Sequence, residues 1–367
     1  MSNIQWPLTN YVISTSALAL ILAWIVSKIL KIGRREAFLP PGPSTVPIFG
    51  NLHIFPMENP HLNWYMAFTA HIILTPKAIE SHLPIQRAEA SQTMYDLLKN
   101  PEDFFNHIGR YSNSVIMSVL FGKRCPRYES ADAKAFFKSV EAFNRALAPS
   151  IPPVDLFPFL DYLPEKLAWW GARAKDVERM QRDLYFGLLN ECEKRMQRGE
   201  HNGSYMEELI ARQKELGLDR KIIGHLGGVL LEGGTETTAS FLQRLVLFLA
   251  AFPDAQHRAQ EEIDRVVGHE RSPMLEDIKD IPYIQTVIKE THRFYPVTPL
   301  ALPHAASADE EACTHSFNQS FIIPKGATIF VNTYAIYHNP DIFDDPEMFY
   351  PERYVKHEYG TKPGADC

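Results

Sequence analysis

The chain has 367 residues, 45% of them apolar and 22% charged, with a formal net charge of −7. That length and apolar share suit one large or two ordinary globular domains and exclude a collagen-like or mostly disordered chain. The acidic balance argues against a nucleic-acid partner, and four scattered cysteines (Cys125, Cys192, Cys313, Cys367) with no CxxC or CxH pair exclude a disulfide scaffold and a local zinc site.

From Tyr11 to Ile32 the only charges are Lys28 and Lys31. A helix over this run is long enough to cross a hydrocarbon core of about 30 Å. Lys28, Lys31, Arg34 and Arg35 close it, so the positive-inside rule puts residues 1–10 in the lumen and the remainder in the cytoplasm. No basic stretch precedes the run and no small-residue cleavage site follows it, so residues 11–32 read as a retained anchor rather than a signal peptide. Residues 33–50, with Leu39-Pro40-Pro41-Gly42-Pro43, form a basic, proline-rich hinge or linker. The main domain is then residues 51–367.

Within that domain the pattern is mostly helical. Ala88–Leu98 and Phe136–Ala146 carry apolar residues at helical spacing. Pro152, Pro153, Pro158 and Pro164 break the chain after them. Lys175–Arg198 is a long amphipathic helix with a solvated charged face. Ile222–Phe252 is apolar nearly all round and should be buried. It nevertheless holds Gly227, Gly228, Gly233 and Gly234 beside Glu232, Thr235, Glu236, Thr237 and Thr238. Something packing close to the backbone accounts for glycines at that place; a kink with back-bonded threonines is the plainer reading. No Gly-Lys-Ser/Thr follows, which disfavours a phosphate loop. Pro282–Phe294 is a shorter helix on which Glu290 and Arg293 are neighbours. Phe321–Val331 reads as a hairpin turning at Pro324-Lys325-Gly326, and a proline-rich tail follows.

Four signals then stand in one order: Gly233-Gly234-Thr235-Glu236-Thr237-Thr238, Glu290-Thr-His-Arg293, Pro324-Lys325-Gly326, and Phe349-Tyr350-Pro351-Glu352-Arg353-Tyr354. With the anchor and the Pro-Pro-Gly-Pro hinge, this order closely resembles the cytochrome P-450 family of haem-thiolate monooxygenases, in the style of fungal microsomal members serving secondary metabolism. The resemblance implies a mainly α fold with small β-sheets and a haem cofactor. It also implies an NADPH-dependent cytochrome reductase as electron donor, an apolar small-molecule substrate, and a place on the endoplasmic reticulum bilayer. It gives Glu236 and Thr237 the roles of an acid–alcohol pair that relays protons on the distal side of the haem, and makes Gly233 and Gly234 the point where oxygen and substrate approach the helix. Glu290, Arg293 and Arg353 become a buried structural trio. His304 takes the place of a haem-propionate contact. Val297, Thr298, Pro299 and Leu300, and more loosely Leu230 and Leu231, face substrate.

Two parts of the family pattern have no counterpart. The proximal Phe-x-x-Gly-x-Arg-x-Cys-x-Gly signature, whose thiolate holds the iron, is missing: Cys367 stands fourteen positions after Arg353 in an unlike context. Near Ala70 and His71 the small sheet and the Trp-x-x-x-Arg helix are missing. Trp169-Trp-Gly-Ala-Arg173 has that spacing but the wrong place in the order, and reads as packing. The domain is therefore expected to be incomplete, which leaves a non-catalytic, membrane-anchored remnant or splice variant as the alternative to an enzyme.

Overall fold

In the computed structural model, residues 75–146, 160, 162–164, 168–314 and 319–365 are described. The expected anchor, hinge and first gap, and Cys367, lie outside the described residues. Among the described residues no helix is long and apolar enough to cross a membrane.

The chain divides into two compact units, of which the smaller includes Leu302–Val331 and the larger holds the remaining described residues. In the larger unit, helix α1 (Pro76–Lys99) starts on Pro76, with Thr75 Oγ1 accepting from the Ala78 amide at 3.3 Å. Proline at the first turn and a threonine cap supply what a helix start needs. Helix α2 (Phe104–Phe121) ends on Gly122, whose φ of 64° suits glycine. Then come α3 (Ala131–Ala146), α4 (Trp169–Gln197) and α5 (Tyr205–Arg212). The long helix α6 (Arg220–Ala251) is capped by Asp219, which accepts from the Ile222 amide at 2.7 Å. α7 (Pro253–Val266) follows directly, and a 3-10 helix, Leu275–Asp280, leads into α8 (Pro282–Phe294). Glu262 of α7 caps α8, accepting from the Tyr283 and Ile284 amides at 3.0 Å each.

Two apolar cores hold this unit. The larger joins α2, α4, α5 and α6 through Phe121, Tyr185, Leu188, Met206 and Leu231. The smaller gathers Phe248, Val287 and Phe349, with Phe252 and Phe294 packed against them. Rings of Phe248, Phe252, Phe294 and Phe349 meet at centroid distances of 5.0–6.1 Å, a range in which aromatic pairs attract. Beyond α8 the larger unit resumes with α9 (Thr333–Tyr337) and ends near α10 (Arg353–Lys356).

The smaller unit is two antiparallel ribbons. β1 (His304–Ala305) pairs with β4 (Thr328–Ile329), and β2 (Glu310–Thr314) with β3 (Gln319–Ile323). This corrects the expected hairpin: the strands flanking Pro324-Lys325-Gly326 do not pair with each other. The turn itself is as read, with Ala327 N donating to Pro324 O at 3.0 Å and Gly326 at φ 81°. Its other donors are taken elsewhere, Lys325 N by Asp309 Oδ1 at 2.6 Å and Gly326 N by Ala306 O at 2.8 Å. Those bonds lead the outgoing strand to β1.

Candidate functional site

The three charges of the expected trio meet in the larger unit, between α8 and the loop before α10. Glu290 is 0% exposed, Arg293 2% and Arg353 4%. Arg293 donates from Nε and Nη2 to the two Glu290 oxygens at 2.8 Å each. Arg353 Nε reaches the same carboxylate at 3.1–3.2 Å, and the Tyr350 amide donates to it at 2.8 Å. Two guanidiniums and one carboxylate leave one net positive charge. Five carbonyls, at the end of α9 and in the loop after it, absorb it: Tyr337, Pro346 and Met348 accept from Arg293, and Asp344, Asp345 and again Met348 from Arg353. A buried charge is tolerable only when paired and bonded in this way. Next to it, Glu352 pairs with Arg258 and accepts from the Tyr283 hydroxyl at 3.0 Å.

One residue from Arg293, the same helix faces a cavity. Its volume is about 630 Å³, inside the range of small-molecule sites. Thr237, Thr238 and Phe241 of α6 form one wall and His292 of α8 another; Pro296, Val297, Thr298, Thr333 and Tyr337 complete it. Thr237 Oγ1 donates to Gly233 O at 2.7 Å, so the threonine is back-bonded as the plainer reading has it. Its lone pairs remain free to accept from a ligand in the cavity. Gly233 has open space where a Cβ would stand. Glu236 is half-buried on another side of α6 and does not line the cavity. Burial raises its pKa, and the nearby carboxylate of Glu232 raises it further.

Several expected site residues stand elsewhere. A Cβ on Gly234 would meet Ile116 Cδ1 of α2 at 2.8 Å, so this glycine admits a neighbouring helix, not oxygen or substrate. Leu231 is fully buried in the α2–α6 core and Leu230 packs against that core, so neither lines the cavity. The glycines at 227 and 228 are likewise packing positions, facing Met206, Phe121 and Tyr185. Of the substrate-facing segment, Val297 and Thr298 line the cavity; Pro299 and Leu300 do not. Pro299 O instead accepts from Thr333 Oγ1 at 2.8 Å, and Leu300 is exposed. His304 is exposed in the smaller unit, opposite Ile329 in the β1–β4 ribbon.

Two features carried no sequence signal. Glu89 of α1 is buried against Arg110 of α2 and pairs with Arg124; Arg110 also donates to Thr93 Oγ1 at 2.8 Å. Burial pushes the Glu89 carboxyl up, but its hydrogen bonds from Arg124 and Arg110 win and hold it below the usual range. His292 is the second. It sits inside the Glu290–Arg293 motif, stacked on Phe241 at 4.2 Å between ring centroids and 20° between planes. Burial lowers its pKa, which favours the neutral ring.

The haem implied by the resemblance can be tested against these residues. The distal side fits: an open cavity with a hydroxyl at Thr237 in its wall; Gly233, one turn before, has open space beside it but does not line the cavity. The proximal side does not among the described side chains: neither Cys125 nor Cys192 lines the cavity. Cys125 and Cys192 are fully buried in the larger core. Burial pushes Cys125 up to about 11, so it offers no thiolate at neutral pH. Cys313 belongs to β2 of the smaller unit.

Comparison with known proteins bears on the same residues. The sequence is 35% identical to a cytochrome P-450 monooxygenase of Armillaria gallica, over 95% of this chain and 79% of that protein. It is 31% identical to the monooxygenase acuD of Aspergillus aculeatus, over 96% and 79%. It is 38% identical to patH of Penicillium expansum, over 75% of this chain and 52% of that one. The fold resembles a zebrafish cytochrome P-450 solved with progesterone, at a TM-score of 0.63 and 23% identity; the match covers 78% of this chain and 65% of the solved one. The cytochrome P-450 family profile matches residues 65–364, across the trio and the α6 cavity alike, and the chain belongs to that family.

Proposed function

We propose that the chain is built for haem-dependent monooxygenation of an apolar small molecule in fungal secondary metabolism, with electrons from an NADPH-dependent reductase. The observation that carries this reading is the presence, in one unit, of the closed Glu290–Arg293–Arg353 trio and of the cavity onto which Thr237 opens. The names of the fungal relatives support the reaction class. Haem, when bound, supplies the activation of dioxygen. Thr237, with its own proton donated to Gly233 O, accepts a hydrogen bond from a water or a ligand hydroxyl in the cavity. Glu236, one residue from that hydroxyl in sequence, keeps its proton to higher pH than an ordinary carboxyl, through burial and the neighbouring Glu232. Phe241, Pro296 and Val297 give the cavity an apolar lining that suits an apolar substrate. Residues 11–32 would anchor the chain in the endoplasmic reticulum membrane with the domain cytosolic.

A direct test supplies membranes holding the chain with reductase, NADPH, a panel of apolar aromatics and oxygen-18 gas. A product that gains one labelled atom supports the reading. No product, where a full-length relative gives one, removes activity from this chain.

Two observations favour the second reading, a non-catalytic remnant. Neither Cys125 nor Cys192 lines the cavity. The alignment with the Armillaria relative also runs over 419 positions, more than the 367 residues of the chain. An alignment of that length requires segments in the relative that have no counterpart here.

A further inference from the structure

One charge in the larger unit has no counter-ion among the described residues. Arg244 of α6 is half-buried, and its Nη1 is fully buried without a hydrogen-bond partner. The guanidinium lies over the Tyr295 ring, 4.3 Å from the centroid. That contact covers a face of the plane. A guanidinium binds carboxylates through the N–H groups of its edge, and at Nη1 that edge is uncommitted. Arg110 also has a buried nitrogen without a hydrogen bond, but Glu89 stands beside it. A charge withdrawn from water and left without an anion is costly, so the position of Arg244 calls for a reason. That position is the seam between α6 and α8. Phe241 and Arg244 are three apart on α6 and share a face. Phe241 stacks on His292, and Arg244 on Tyr295 three residues later. Phe241 and His292 line the cavity, as do Pro296 and Val297 directly after Tyr295; Arg244 stands one turn beyond that wall. No lysine, arginine or carboxylate lines the cavity, and burial favours the neutral ring of His292. The wall therefore offers an anion no formal charge of its own, and Arg244 supplies one from the adjoining turn.

On the reading above that this cavity receives an apolar small molecule, we propose that the molecule carries a carboxylate and that Arg244 is the specificity-determining residue that binds it at the α6–α8 seam. The apolar body lies against Phe241, Pro296 and Val297. The carboxylate takes the free edge of the guanidinium, while the Tyr295 ring keeps its plane in place. A neutral analogue of the same shape fills the apolar part equally well and leaves the arginine without its anion. A site built around a polar group rejects the analogue that lacks the partner for it.

The test is equilibrium dialysis of the full chain in a non-ionic detergent, with detergent alone as the blank, against 2-naphthoate and its neutral analogue 2-naphthamide. The acid is expected to bind about tenfold more tightly or better, the worth of a hydrogen bond to a charged group. In Arg244→Met the acid should fall to the affinity of the amide. Arg244→Lys, which keeps the charge without the fork, should retain part of the preference. Urea unfolding of each variant checks that the fold is kept. Equal binding of acid and amide to the unaltered chain overturns the proposal and needs no variant. A preference that survives Arg244→Met also overturns it. In either case Val297→Trp, which fills the cavity, separates the two readings: if it abolishes binding, the cavity still receives an apolar molecule and only the carboxylate assignment falls. Binding of neither compound overturns the assignment together with the site reading on which it rests.

Discussion

Two regions of the larger unit meet on helix α8, one residue apart, and they are built in opposite ways. Around Glu290, Arg293 and Arg353 the charges are paired, and the surplus positive charge is shared among loop carbonyls. Around Thr237 and His292 the wall is open, and the imidazole stacks on Phe241 with no hydrogen bond to a described residue. The trio is complete with protein atoms alone. The cavity is not, and its polar groups are tolerable because water or a ligand reaches them. The difference shows which half of the architecture folding must finish by itself and which half a guest must finish.

Breaking the closed half should have the largest effect. Glu290→Ala leaves two buried guanidiniums facing each other and should cost about 3–5 kcal/mol, read as a lowered midpoint in urea unfolding. A loss near zero would mean that the trio is hydrated and not closed. Leu231→Ala comes next, at about 2–5 kcal/mol for a core leucine. A lining residue of an open cavity would cost far less, so this variant checks the reassignment of Leu231 to the core. The adjacent glycines separate the two regions within one turn. Gly234→Ala should destabilise by about 1–3 kcal/mol by overpacking against Ile116, whereas Gly233→Ala should stabilise by up to about 1 kcal/mol through helix propensity. Thr237→Ala should leave stability within about 0.5 kcal/mol. In a haem-loaded, oxygen-consuming form it should uncouple oxygen uptake from product formation; unchanged coupling would remove Thr237 from the relay.

The smallest effect is a pH dependence away from both regions. Arg271 donates twice to Asp277 at 2.7 Å, and the Met274 amide donates at 2.7 Å. These bonds depress the Asp277 pKa from 3.8 to about 2. A depressed carboxyl contributes stability above its unfolded pKa and loses it as pH falls through the folded one. Wild type and Asp277→Asn should therefore differ at neutral pH and converge as pH falls from about 4 to about 2. Acid titration of the two unfolding midpoints checks this.

The helices were largely legible because they repeat. Pro282–Phe294 is found where proline and apolar spacing put it, and Ile222–Phe252 lies within two residues of α6. Ordered motifs made the trio legible as well, since Glu290 and Arg293 share a helix face and Arg353 belongs to a fixed phrase. Side-chain direction around α6 was less legible. A helix apolar nearly all round gives no phase, so Leu231 and Gly234 read equally well as lining or packing. The Glu89–Arg110 pair spans two helices with no motif at either end. The strand pairing around Pro324 depended on Asp309 and Ala306 capturing the donors of the turn, a choice made in space and not along the chain.

The way Arg293 and Arg353 bond to the loop has a consequence for sequence variation. Their partners between residues 337 and 348 are carbonyl oxygens, which every amino acid possesses. Two arginines thus shape a stretch of irregular chain through its backbone, and one side chain, Phe343, is buried beneath the Arg293 guanidinium. Exposed positions of that loop can vary wherever the backbone path is kept, whereas Phe343 and the shared carboxylate of Glu290 are each held by buried partners. The vocabulary of this region is concentrated in a few buried residues, and the exposed text between them is open to rewriting.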